Sequence, residues 1–133
     1  MAVYFSGSEE ETIALAEQFA KTLQPGDVVL LEGEMGAGKT AFAKGVARGL
    51  KIRAEVTSPT YAYINDYEGK LFHFDCYRIE SEGQALALGF TDYFDEGGIC
   101  LVEWSENIKG FLPPAVKRVT VKKRGEELRE IEF

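Results

Sequence analysis

Apolar and polar positions follow two rhythms along this chain, and the switches between them mark its elements. From Ser8 to Leu23, the apolar residues Ile13, Leu15, Ala16, Phe19, Ala20 and Leu23 recur at helical spacing, which predicts an amphipathic helix. Ser8 suits the N-cap, Glu11 stands three residues later as a capping-box partner, and acids fill the first turn. Pro25-Gly26 ends the element. Asp27 to Leu31 is then a short apolar run that predicts a strand buried on both faces. A second helix is expected from Thr40 to Leu50, stopping near Gly49.

The middle of the chain changes to extended rhythm. Thr60 to Tyr67 and Leu71 to Phe74 are aromatic and β-branched, with Glu68-Gly69 between them, and predict a hairpin. A short helix is expected over Glu80 to Leu88, ended near Gly89. Ile99 to Val102 is a second fully apolar run and predicts a central strand. Pro113-Pro114 breaks the chain before a closing hairpin, Val116 to Lys122 and Leu128 to Phe133, around Arg124-Gly125. The pattern gives one α/β domain over residues 1–133 with a mixed sheet, because hairpins interrupt the βαβ rhythm.

Composition narrows the class. The 133 residues are 45% apolar and 28% charged with a net charge of −7, a globular balance that argues against an autonomous nucleic-acid-binding module, which would usually be basic. No apolar run approaches the roughly 20 residues of a membrane helix, and MAVYFSGSEEE does not read as a signal peptide. Two cysteines, Cys76 and Cys100, without metal-ligand spacing suit a reducing compartment. The expected location is cytoplasmic. Residues 1–115 carry 9 basic and 18 acidic side chains, whereas residues 116–133 carry 6 and 4. That basic segment reads either as a solvated edge hairpin whose lysines discourage edge pairing, or as charge that meets phosphate.

One stretch carries specific chemistry. Gly33-Glu34-Met35-Gly36-Ala37-Gly38-Lys39-Thr40 fits G-x-x-x-x-G-K-[ST], between the expected strand and helix. Glycines let successive backbone N–H groups turn toward phosphate oxygens, and the following helix adds its positive end. Lys39 supplies an ammonium for the β- and γ-phosphates, and the Thr40 hydroxyl can ligate Mg²⁺. The fold implied is P-loop NTPase-like and three-layered. A further carboxylate is needed at a neighbouring strand end, and Glu103, directly after Ile99 to Val102, is preferred over Asp75. Thr57-Ser58-Pro59-Thr60-Tyr61 reads as an ordinary lead into a strand, with a phosphate-sensing switch as the alternative. His73 reads as a packed sheet residue rather than a catalytic base, and Trp104 as loop packing.

Taken together, the phosphate loop, Ser58-Pro59-Thr60-Tyr61, His73-Phe74-Asp75-Cys76-Tyr77-Arg78 and Leu101-Val102-Glu103-Trp104, in this order, resemble the TsaE (YjeE) family of small P-loop ATPases. The likeness runs from about residue 8 to 131. It implies ATP binding by Met35, Gly36, Ala37, Gly38, Lys39 and Thr40, with Mg²⁺ on Thr40 and Glu103. It implies a role in hydrolysis for Asp75, with Lys39, Asp75 and Glu103 as the catalytic set. Arg129 would contact ATP, and the turn near Ser8 would close over the adenine. It further implies a supporting role for a TsaB–TsaD complex that transfers a threonylcarbamoyl group to N6 of adenosine 37 in tRNAs reading ANN codons. Contacts to tRNA would be made mainly by those partners, with no membrane association. The competing class is a small-molecule kinase. A GTPase is disfavoured because N-K-x-D is missing from the sequence, and a non-enzymatic nucleotide sensor is a third reading.

Overall fold

The computed structural model describes residues 1–34, 36–57 and 63–133. Among the described residues, seven strands form a mixed sheet in the order β1-β7-β6-β2-β5-β4-β3. Their ranges are β1 Val3–Ser6, β2 Val28–Glu32, β3 Ile64–Tyr67, β4 Leu71–Asp75, β5 Ile99–Glu103, β6 Lys117–Lys123 and β7 Arg129–Glu132. The helices are α1 Glu9–Ala20, α2 Lys39–Gly49, α3 Glu82–Ala87 and α4 Phe90–Tyr93, with 3-10 turns over Ser105–Phe111. By packing, the chain forms two units: residues 1–23, 31–58 and 118–133, and residues 24–30 and 59–117. Among the described residues no helix is long and apolar enough to cross a membrane.

In the first unit the expected helix begins where its cap lies. Ser8 Oγ accepts from Glu11 N at 3.1 Å, and Glu11 Oε1 accepts from Gly7 N at 2.6 Å. Ile13, Ala16, Phe19 and Ala20 form the buried stripe. Phe133 gathers the aromatic core, 4.9 Å from Phe19, 6.2 Å from Phe42 and 4.7 Å from Tyr4 between ring centroids. Helices α1 and α2 approach closely through Gly45 and Gly49. A Cβ at Gly45 would collide with the Ile13 carbonyl and stand 2.5 Å from the Ala16 Cβ, and one at Gly49 would stand 2.6 Å from the Ala20 Cβ. Gly45→Ala is therefore expected to destabilise by about 1–3 kcal/mol through overpacking, although alanine alone favours a helix by roughly 1 kcal/mol. A lowered urea midpoint checks this; an unchanged one would show that α1 can move aside.

The closing hairpin forms as expected, with Val121 opposite Ile131, but it is not at the sheet edge. Strand β1, which the hydrophobic pattern did not reveal, pairs antiparallel with β7, Tyr4 opposite Ile131. The edge-guarding reading of the basic segment is thus corrected. Several of its charges are instead engaged locally: Lys117 with Asp27 at 3.3 Å, Arg118 with Glu32 at 2.6 Å, and Arg124 with Glu130 at 3.1 Å.

In the second unit the β3–β4 hairpin forms with Tyr67 opposite Leu71; residues 58–62, where the first half of that hairpin was expected to begin, lie outside the described residues. Strands β4 and β5 run parallel, with Phe72 opposite Cys100 and Phe74 opposite Val102. These side chains join Val28, Leu30, Phe90 and Ile108 in one buried cluster. The short helix starts at Glu82 rather than Glu80 because Ser81 Oγ caps Gln84 N. Helix α4 and the 3-10 turns were not expected; α4 starts after Gly89 at φ 78°.

Cys76 and Cys100 are free and buried. Burial pushes the Cys76 thiol up to about 12, with the charges of Asp75, Glu106 and Glu103 adding to it. Burial alone lifts Cys100 to about 12. Both stay protonated at neutral pH, and the thiol is the unreactive form. A thiolate-selective reagent at pH 8 is expected to modify neither cysteine in the folded protein and both in denaturant. Fast native labelling of either would contradict the raised values.

Candidate functional site

The phosphate-loop residues lie between β2 and α2. Met35 is outside the described residues. Gly38 is the N-cap of α2 at φ 106°, where a side chain would be strained. It accepts from Phe42 N at 3.1 Å, so the helix begins at once. Gly38 has no side chain with which to cap the helix, and no acid stands in its first turn. Its positive end is thus not neutralised from within its own first turn. Lys39 opens α2 and is only 8% exposed, and Thr40 follows it. Gly33 is tight as well: a Cβ there would lie 2.5 Å from the Val121 carbonyl oxygen. Three glycines, a helix that opens on one of them and a buried lysine form a cradle suited to an anion.

Beside the cradle is a cavity of about 250 Å³ lined by Ser8, Glu9, Thr12, Gly38, Ala41, Glu126, Glu127 and Arg129. The structure thus brings Ser8 and Arg129, far apart in sequence, to one hollow beside Gly38. The volume is smaller than the roughly 300–1,000 Å³ typical of whole-ligand sites, so it suits part of a nucleotide. Arg129 also holds backbone. Its Nε donates to the Ala37 carbonyl at 2.8 Å, and its Nη1 donates to the carbonyls of Gly125, Glu126 and Leu128 at 3.1–3.3 Å. The guanidinium therefore clasps the β6–β7 turn to the phosphate loop. Thr12, Glu126 and Glu127 were missed by sequence reasoning. Thr12 is buried in α1, where its Oγ1 pairs with Ser6 Oγ at 2.8 Å, and no motif marks it.

In the second unit, Asp75 and Glu103 end the parallel strands β4 and β5 and stand opposite each other in register. The ladder continues one step further, Cys76 N donating to the Glu103 carbonyl at 3.1 Å. Asp75 Oδ1 accepts from Tyr77 N at 3.0 Å, an Asx turn at the strand end. Glu103 is 8% exposed, and its Oε2 lies 2.5 Å from His73 Nε2. His73 is indeed a packed sheet residue, at 0% exposure, but its bond to Glu103 was not foreseen. The period-2 pattern puts His73 and Asp75 on one face of β4; only the β4–β5 register shows that Glu103 shares that face. Immediately after Glu103 the chain turns sharply through Trp104 at φ 57°. The indole packs on Tyr77, ring centroids 5.0 Å apart.

Hard oxygen donors such as a carboxylate and a hydroxyl match Mg²⁺, which usually takes one or two carboxylates and completes its shell with phosphate and water. Glu103 and Thr40 have that chemistry. Among the described residues, no cluster of three or more His, Cys, Asp or Glu could hold a metal by itself.

Comparison with known proteins gives the family. A family model described as "Threonylcarbamoyl adenosine biosynthesis protein TsaE" matches residues 6–131. A tRNA threonylcarbamoyladenosine biosynthesis protein TsaE of Bacillus subtilis is 45% identical over 127 residues, spanning 93% of this chain and 79% of the relative. The protein of the same description from Treponema pallidum is 34% identical over 128 residues, spanning 95% of each. The crystal structure of Bacillus subtilis YdiB superposes with a TM-score of 0.80 at 39% identity, covering 98% of this chain and 82% of that one. The likeness thus extends over nearly the whole chain in sequence and in fold, and the chain belongs to the TsaE family.

Proposed function

We propose that this chain is a Mg²⁺-dependent ATPase that acts in threonylcarbamoyladenosine biosynthesis on tRNA. In this reading it supports turnover by a TsaB–TsaD-type transferase complex and does not itself transfer the group. The observation that carries the ATPase reading is the cradle: a left-handed Gly38 that opens α2 without a side-chain cap of its own, in the loop that follows a buried strand. Its backbone N–H groups hold the phosphates, and Lys39 offsets charge on the β- and γ-phosphates as the bond to the leaving group lengthens. Thr40 and Glu103 are the residues that would hold Mg²⁺, which would supply charge neutralisation to the phosphates. Asp75, fixed by its turn to Tyr77, orients the attacking water. The hollow at Ser8 and Arg129 takes the base. An acidic chain fits a subunit that leaves tRNA contacts mainly to its partners.

The test is ATP hydrolysis by the chain alone and with TsaB and TsaD homologues plus tRNA. The expected results are weak turnover alone and a rise with the partners. Asp75→Ala is expected to keep nucleotide affinity and lose about 10²-fold in turnover; a simple loss of binding would contradict the water-orienting role. Phosphorylation of a sugar or nucleoside in an acceptor panel, without a partner effect, would establish a kinase instead.

A further inference from the structure

His73 is the only histidine of the chain, and its Nδ1 is the one buried side-chain nitrogen or oxygen without a hydrogen-bond partner among the described residues. Its other nitrogen, Nε2, is 2.5 Å from Glu103 Oε2, with the imidazole at 0% and the carboxylate at 11% side-chain exposure. The proton can be placed by elimination. A proton on Nδ1 would leave a buried donor without an acceptor, and with Nε2 bare two lone pairs would face each other across that short distance. Only the neutral Nε2–H tautomer donates to the carboxylate and leaves nothing worse than an unused lone pair.

Sheet packing alone gives no reason for an imidazole here. His73 stands opposite Leu101 on β5 and shares its face with Leu71, both 0% exposed. An apolar side chain would fill such a place without an orphaned nitrogen, which costs free energy when buried. The histidine has one polar contact, and that contact is to the strand-end carboxylate. A carboxylate offers about four lone-pair sites, so the bond to the imidazole occupies only part of what its oxygens can accept. Ligating carboxylates are commonly held in orientation by such partners.

We propose that His73 is the positioning residue for Glu103: its Nε2–H fixes one carboxylate oxygen, and with it the side-chain rotamer at the end of β5, so that the carboxylate meets Mg²⁺ already oriented. This rests on the Mg²⁺–nucleotide reading above. The imidazole touches no substrate and moves no proton. Its contribution is to spare Glu103 the ordering that metal binding would otherwise require.

Trp104, the only tryptophan, directly follows Glu103, so its fluorescence reports Mg²⁺ binding without turnover. Mg²⁺ is titrated at saturating ADP into the wild type, His73→Leu and His73→Gln. Leucine removes the donor at similar size, whereas the glutamine amide nitrogen can reach the Nε2 position. The expected result is a Mg²⁺ midpoint about 10–100-fold higher for the leucine variant, a midpoint near wild type for glutamine, and equal ADP affinity for all three without Mg²⁺. A wild-type midpoint in His73→Leu overturns the positioning role alone, as does an equal loss of metal-free ADP binding. A wild type with no Mg²⁺-dependent response to ADP overturns the nucleotide reading and the role together. Nitrogen NMR of the single imidazole keeps the test open if the leucine variant does not fold. It should show the neutral Nε2–H tautomer, displaced by Mg²⁺ with ADP but not by ADP alone; an Nδ1–H tautomer or no displacement overturns the proposal.

Discussion

Methionine at Lys39 is expected to lower ATP turnover by about 10²–10³-fold with the fold intact. That loss equals about 2.7–4 kcal/mol of barrier. The size follows from placement. Lys39 opens α2 directly after Gly38 and is 8% exposed, so its ammonium acts where water screens little. Methionine keeps an unbranched apolar stem and removes the ammonium with its donors, so the apolar packing of the stem is preserved. Steady-state hydrolysis with partners present, beside a thermal melt, separates the outcomes. Unchanged turnover would remove Lys39 from the proposed reaction. A large drop in melting temperature with activity lost in proportion would make it a packing residue.

Phe74→Ala is expected to have the largest effect on stability, about 3–5 kcal/mol. Phe74 is 0% exposed, and three rings surround it: Phe90 at 5.4 Å, Tyr93 at 5.8 Å and Phe94 stacked at 5.5 Å. Removing it empties the middle of the second unit's core, where side chains from β4, α4 and the segment after it meet. Against a total of roughly 5–15 kcal/mol, the melting temperature should fall by about 10 °C or more. Tyr77→Ala is the control three residues later. At 53% exposure its ring is half in water, and the change should be within about 0.5–1 kcal/mol. Equal effects at the two positions would mean that the core does not centre on Phe74.

Local signals made much of this legible in the sequence. Ser8 and Glu11 announced α1, and the glycine spacing announced the phosphate cradle, because caps and tight turns are written in neighbouring residues. Strand β1 was hidden for the opposite reason. Its four residues are mostly exposed, so no hydrophobic alternation marks them, and only the distant β7 makes them a strand. Glu103 could be placed at a strand end from its position alone. Its bond to His73 could not, since it depends on the parallel register of β4 and β5, which no local spacing encodes. The Ser8–Arg129 hollow was unreadable in the same way: its walls come from α1, α2 and the β6–β7 turn, and no sequence spacing joins them.

The Arg129 clasp also bears on how the protein is made. Its guanidinium spans the Ala37 carbonyl and the β6–β7 turn, and β7 in turn receives β1. During synthesis, residues 33–40 leave the ribosome long before residues 129–132 do. The loop must therefore wait, without its clasp, until β7 has also been translated and has emerged. Nascent chains stalled before residue 129 should expose the loop to protease, whereas chains in which β7 has emerged should protect it, so that nucleotide capture waits on a strand made some ninety residues after the loop.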